Sequence, residues 1–180
     1  IPLIGAVATG VIAVFVALHP YNLAQRAQIV VDHFRAHTAQ KIGGQGKAMV
    51  VTSSRLHAVR YKQAIDKYIK AQGYKDIAAL VAFSGTVIAD GGNYTEPNMN
   101  GFPESQTAER FASPDYQVLI VAEKFQTGFD QPLLHPMFVD KTLVGLAAVP
   151  TLSRLNRIHP RKPQPFVLDL RTDPSATRKA

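Results

Sequence analysis

Apolar positions recur along this chain at two spacings, and the alternation between them sets the elements. After Pro20 they fall at three- and four-residue steps. Leu23, Ala27, Val30, Val31 and Phe34 make one stripe, which predicts an amphipathic helix that Asn22 can cap and that Gly43, Gly44 and Gly46 end. Ala48 to Thr52 follows as a short apolar run between polar residues, the mark of a buried strand. Ser53 or Ser54 then starts a second helix, with Ala58, Tyr61, Ile65, Tyr68 and Ile69 facing inward and Gly73 where a left-handed closing residue is wanted. Further strands are predicted near Ala78 to Phe83, Gln117 to Ala122, Met137 to Val139 and Phe166 to Leu170. A short helix runs from Ser105 through Phe111, and another lies near Val149 to Ile158. From Gly85 to Pro103 the pattern lapses into a Gly- and Asn-rich stretch, read as a long loop. Strands separated by helices pair in parallel through right-handed crossovers, so the expected fold class is α/β, a mainly parallel sheet covered on both faces.

The first residues stand apart from this alternation. Ile1 to Leu18 carry no charge, a run just long enough for a marginal transmembrane helix. Pro2, Gly5 and Gly10 interrupt it and no basic residue precedes it, so a buried helix or strand is expected, with no membrane partner. The opening Ile reads as a truncation junction. The expected division is 1–18 as an apolar segment, 19–173 as one domain and 174–180 as a basic tail.

Composition narrows the function classes. With 180 residues, 46% of them apolar and 18% charged, the chain is one globular domain rather than a disordered or fibrous polymer. Zero cysteines exclude thiolate catalysis, disulfides and cysteine-bound zinc, and fit a cytoplasmic location. The net charge of +7 favours anionic partners, and seven basic against two acidic residues lie between Arg154 and Ala180.

Several motifs offer chemistry. GGQGK, Gly43 to Lys47, looks like a phosphate-binding loop, but Lys41 stands where its first glycine is required and Ala48 replaces the magnesium-binding Ser or Thr. It reads as a turn. His33 and His37, four apart on the first helix, lack a third ligand and read as exposed helix histidines, so no metal site is expected. Asn93, Tyr94 and Thr95 spell a glycosylation sequon, a pattern frequent by chance. No nucleophile and base can be paired from sequence alone.

Three strand-end clusters carry more. In VTSSR, Val51 to Arg55, hydroxyls and backbone N–H groups gather at a helix start, which suits either a bound phosphate or an ordinary helix cap. In EKFQTGFDQP, Glu123 to Pro132, Gly128 permits close backbone approach while Thr127 and Asp130 offer a hydroxyl and a carboxylate at one bend; a plain turn accounts for it equally. In TLSRLNR, Thr151 to Arg157, Arg154 and Arg157 share a helix face, as a polyphosphate clamp or as solvated arginines.

Taken in order, VTSSR, VLIVAEKFQTGFDQP, TLSRLNRIHP and FVLDL resemble the second RecA-like motor domain of the restriction subunit of type I restriction enzymes, which are superfamily 2 DNA translocases. The resemblance runs from about His19 to about Asp169. It implies a RecA-like three-layer sandwich. It further implies that Thr52, Ser53, Ser54 and Arg55 form helicase motif IV beside the DNA backbone, and that Thr127 and Gly128 of motif V couple the DNA and nucleotide sites. Asp130 would approach the ATP ribose or the partner domain, and Arg154 and Arg157 of motif VI would act as arginine fingers on the γ-phosphate. Two positions depart from the superfamily pattern: Pro150 replaces a Gln, and Ser153 a Gly, the latter shared with the type I family.

No Walker A lysine, DEAD-like carboxylate pair or nuclease centre occurs in the chain. In the parent subunit these belong to other domains, so the resemblance implies a chain that does not hydrolyse ATP alone. Mg2+ would be held by the missing first motor domain. The implied partners are duplex DNA, the first RecA-like domain, and the methyltransferase and specificity subunits. The alternative is a non-catalytic RecA-like module that binds nucleic acid or another subunit.

Overall fold

The computed structural model describes residues 18–124, 130–141 and 166–171. Helix α1 (Pro20–His33) buries Leu23, Ala27, Val30 and Val31, the expected stripe. Its cap is His19, whose side chain accepts from the Tyr21 N–H, rather than Asn22. Pro20 explains the earlier start: its missing N–H and fixed φ suit the first helical position. The helix continues as a wider π turn over Phe34–Thr38. Strand β1 (Lys47–Thr52) is buried at all six positions.

Helix α2 (Arg55–Gln72) begins where the Ser54 side chain accepts from the His57 N–H, and ends at Gly73, with φ of 68°. Both ends match the sequence reading. Ala58, Tyr61 and Ile65 are fully buried, and Tyr68 and Ile69 pack partly buried against the same core. Removing each such side chain from water contributes roughly 1.5–3 kcal/mol.

The stretch expected to be a loop is structured. After β2 (Ala79–Ala82), strands β3 (Thr86–Ala89) and β4 (Gly92–Thr95) form an antiparallel hairpin with Ala89 opposite Gly92. Asp90 and Gly91 make the two-residue turn with φ of 50° and 73°, the left-handed pair that matches the twist of a hairpin. Helix α3 (Glu96–Asn100) follows directly. Thr95 and Asn98 cap it reciprocally: the Asn98 N–H donates to Thr95 Oγ1 at 3.3 Å, and the Thr95 N–H to Asn98 Oδ1 at 2.9 Å. The expected short helix appears as α4 (Thr107–Ala112), preceded by a tighter turn over Glu104–Gln106.

Strands β5 (Val118–Val121), β6 (Leu134–Asp140) and β7 (Phe166–Asp169) complete a five-stranded sheet ordered β2-β5-β1-β6-β7, with every neighbouring pair parallel. Strand β6 extends well beyond the predicted Met137 to Val139. It tolerates Pro136 because the register against β1 shifts between Lys47 and Met49, as at a bulge. The helix expected near Val149 to Ile158 and the segment 1–17 lie outside the described residues.

Alternation along the strands sends Ala48, Val50, Val118, Ile120 and Phe138 to the face covered by α1 and α2. Met49, Val51, Leu119, Val121, Met137 and Val139 go to the opposite face, against Phe111 of α4. Helices therefore lie on both faces, the three-layer α/β arrangement expected. No helix among the described residues is long and apolar enough to cross a membrane.

Candidate functional site

Parallel α/β sheets place ligand-binding loops beyond the carboxyl ends of their strands. Here the central strand β1 ends at Thr52 opposite Asp140, the last residue of β6, so VTSSR emerges at that rim. Thr52 is fully buried and its hydroxyl donates to the Val121 carbonyl at 2.9 Å, tying β1 to β5. Ser53 is exposed. Ser54 is the helix cap, with the His57 N–H donating to its Oγ at 3.1 Å. Arg55 is exposed, and its guanidinium donates to the Ser84 carbonyl at 3.1 Å. The helix-cap reading holds at Ser54, and Ser53 and Arg55 are exposed at the start of α2.

Beneath this loop lies a polar network that sequence reasoning missed. Asp140, 4% exposed, accepts from Arg26 Nη1 of α1 at 2.6 Å and from the Tyr61 hydroxyl of α2 at 2.5 Å, both on Oδ2. Burial, reinforced by the Asp140 charge, pushes the Tyr61 phenol far above its ordinary value, so it donates at every physiological pH. His57 Nε2 sits 3.5 Å from the same oxygen, an electrostatic contact without hydrogen-bond geometry. On the other side of its ring, Nδ1 lies 2.8 Å from Ser53 Oγ. Burial lowers the His57 pKa, opposed by Asp140 and assisted by Arg26. A buried ion pair such as Arg26–Asp140 is costly to break, about 3–5 kcal/mol when one partner is removed, because the remaining charge is stranded.

A second anchor holds the end of β5. Glu96 of α3, 1% exposed, accepts from the Phe83 N–H at 3.0 Å, from the Thr107 hydroxyl and from Lys124 Nζ at 2.7 Å. Lys124 also reaches Glu104, at 3.3 Å. The segment EKFQTGFDQP therefore leaves the sheet from a fixed point. Within it, Thr127 and Gly128 lie outside the described residues, as do Arg154 and Arg157. Asp130 is described and exposed. It precedes β6, whose first residue Leu134 pairs with Lys47 at the amino end of β1, whereas Thr52 closes β1 at the other end.

The loop resembling a P-loop is excluded by its lysine as well as by its pattern. Lys47 Nζ is buried and donates to the Ser113 and Tyr116 carbonyls at 2.8 and 2.5 Å. A cavity of about 240 Å³ beside it is lined by Gly44, Gly46, Ser113 and Gln117, at the amino end of the sheet. The His33 and His37 rings lie 4.7 Å apart between centroids and tilted by 50°, but His33 is half-buried, edge-on to Phe138, rather than exposed as expected. Burial lowers its pKa, with His37 and His135 adding to the shift. Among the described residues no three His, Asp or Glu side chains cluster to hold a metal ion.

Comparison with known proteins finds similarity in sequence and in solved structures. Residues 91–172 match the family model for type I restriction enzyme subunit R domain 3. The chain is 31% identical over 170 residues to the type I restriction enzyme MjaVIIP endonuclease subunit of Methanocaldococcus jannaschii, covering 86% of this chain and 15% of that protein. It is 30% identical over 147 residues to the type I restriction enzyme HindI endonuclease subunit of Haemophilus influenzae, covering 78% of this chain and 14% of that one. Among solved structures it is similar to domain 2 of the DEAD-box helicase Mss116p bound to an RNA duplex. That similarity has a TM-score of 0.49 and 16% identity, and covers 83% of this chain and 50% of that one. The class is thus a three-layer α/β domain built on a parallel sheet. More particularly, the chain is similar to domain 3 of the type I restriction enzyme R subunit, and spans about one seventh of the length of the relatives it matches.

Proposed function

We propose that this chain is half of an ATP-dependent DNA translocase motor. It would contact the DNA backbone through the loop from Thr52 to Arg55 and supply Arg154 and Arg157 to a nucleotide held by the first RecA-like domain. The observation that supports this most is the position of Ser53, Ser54 and Arg55. They lie at the carboxyl rim of the central parallel strand, at the start of an 18-residue helix, in a chain matched to R subunits. A helix start with exposed N–H groups, hydroxyls and a guanidinium suits a phosphate chemically.

The described residues do not fit a complete nucleotide site: no carboxylate cluster stands ready for Mg2+, and the one lysine in a loop resembling a P-loop is turned into two carbonyls. No hydrolytic step is assigned to them. Gly128 and Asp130 belong to the nucleotide side of the reading, and Mg2+ to the missing domain.

Two measurements test the proposal. The chain alone should bind duplex DNA weakly, with affinity falling steeply as salt rises, and show no ATPase activity. Adding the first RecA-like domain in trans should restore DNA-stimulated ATPase activity, which Arg157→Ala lowers about a thousandfold, the scale of arginine fingers elsewhere. Unchanged turnover in that variant removes Arg157 from the mechanism. Binding with no turnover in trans favours the non-catalytic module instead.

A further inference from the structure

The Ser53–His57–Asp140 alignment fixes the state of each proton in it. The Ser53 backbone N–H donates to His57 Nδ1 at 3.4 Å, and the Ser53 hydroxyl, which can donate or accept, lies 2.8 Å from the same atom. A ring nitrogen that accepts from a backbone N–H carries a lone pair, not a proton. The opposite nitrogen, Nε2, faces the Asp140 carboxylate at 3.5 Å, where an N–H is attracted and a lone pair repelled. Both ends of the ring select the tautomer protonated on Nε2. In that state the Ser53 hydroxyl points its hydrogen inward and presents lone pairs to solvent, the wrong polarity for a phosphate oxygen.

We propose that His57 is a positioning residue for Ser53: while neutral it holds the Ser53 hydroxyl inward, and on protonation it donates to Ser53 Oγ and frees the hydroxyl hydrogen for a nucleic-acid phosphate. The step moves one proton from solvent onto Nδ1, reverses the bond with Ser53 Oγ and breaks the 3.4 Å bond that Nδ1 accepts from the Ser53 N–H. The charged and titratable groups that face the ring are Asp140 on β6, Arg26 on α1 and Tyr61 on α2. Arg26 and burial resist protonation, and Asp140 favours it. The neutral form therefore prevails at pH 7, and the change belongs below the ordinary histidine range. This inference rests on the reading of the 52–55 loop as a backbone-contact loop and names the group that regulates it.

The test uses the whole chain and a fluorescein-labelled duplex of random sequence, with affinity followed by anisotropy between about pH 5.5 and pH 8. Wild type should bind about tenfold more tightly at the acid end, the gain of one hydrogen bond to a charged group. His57→Gln places its amide near Asp140 and out of reach of Ser53, so binding at pH 8 should rise and the pH dependence from this site should vanish. His57→Asn places an amide oxygen where Nδ1 stood, so weak binding at pH 8 should persist without the acid gain. Ser53→Ala should lose the acid gain and shift the titration of His57, read by nitrogen-15 NMR.

A merely structural histidine predicts the opposite sign for His57→Gln, a weaker binder at every pH. That result, or an Nδ1-protonated tautomer at pH 7, overturns the inference. Duplex binding with the same pH profile in His57→Gln and wild type also overturns it while leaving the translocase reading intact. No duplex binding by wild type at any pH overturns both.

Discussion

Lys47 opens the central strand with its side chain 4% exposed and its amine 5.1 Å from the centroid of the Phe111 ring. Burial lowers its pKa from 10.5 to about 8, opposed by Asp115. Above about pH 8 the native amine is neutral, while an unfolded lysine keeps its proton until about pH 10.4. The unfolded chain then binds more protons than the native one, so stability rises with pH through this window and is lost as pH falls back through 8. Integrated from about pH 7.5 to about pH 9.5, one such group contributes roughly 2 kcal/mol. The assay is urea denaturation followed by circular dichroism at both pH values, for wild type and Lys47→Met. Methionine fills the space but strands the Ser113 and Tyr116 carbonyls, which costs about 1–3 kcal/mol each at any pH. The diagnostic quantity is therefore the difference between the two pH values, not the absolute stability. Wild type should gain roughly 2 kcal/mol and Lys47→Met nothing; equal gains in both proteins refute the assignment of this pH dependence to Lys47.

Two further substitutions test the packing that frames the site. A Cβ added at Gly46 would lie 2.5 Å from the Thr38 carbonyl oxygen, so Gly46→Ala must push the backbone between α1 and β1 apart. It should cost about 1–3 kcal/mol, visible as a lower melting temperature. Glu96→Gln keeps the size of the side chain but removes the charge opposite Lys124 and sets an amide against donors already aimed at it. A loss of about 2–4 kcal/mol is expected in chemical denaturation, with part of it recovered in the Glu96→Gln, Lys124→Met double variant.

The long amphipathic elements were legible because pattern and punctuation agreed. In α2, an apolar stripe, a serine cap and a closing glycine all point to the same bounds, and the structure keeps them. The hairpin is hidden in a Gly- and Asn-rich stretch whose composition suits a long loop, mobile or functional, although Asp90-Gly91 is a specific turn signal. The amino half of β6 is not legible because Pro136 interrupts it, and a proline inside a central strand argues against pairing unless a bulge accommodates it. Of the candidate site, the loop 52–55 is legible because its residues are contiguous, and the network beneath it is not. Ser53 and His57 stand one helical turn apart and invite a pairing, but Asp140 lies 79 positions from Tyr61, and only the parallel pairing of β1 with β6 brings it beneath the loop.

The two ends of the sheet are built for different work, and the separation is itself open to measurement. At the amino end, Lys47 closes the space between β1 and the turn after α4 by bonding backbone carbonyls, a use of charge that answers only to stability. At the carboxyl end, Asp140 gathers Arg26, Tyr61 and His57 from two helices under an exposed serine. A buried carboxylate with that many partners is an expensive way to hold a loop if an apolar contact would serve. Its value lies in coupling: a change in the His57 proton reaches Ser53 directly, and a displacement of α1 reaches it through Arg26. Substitution at Lys47 should therefore move stability and leave the pH profile of nucleic-acid binding alone. His57→Gln should do the reverse at Ser53, because the proton it removes is the one that decides which way that hydroxyl faces.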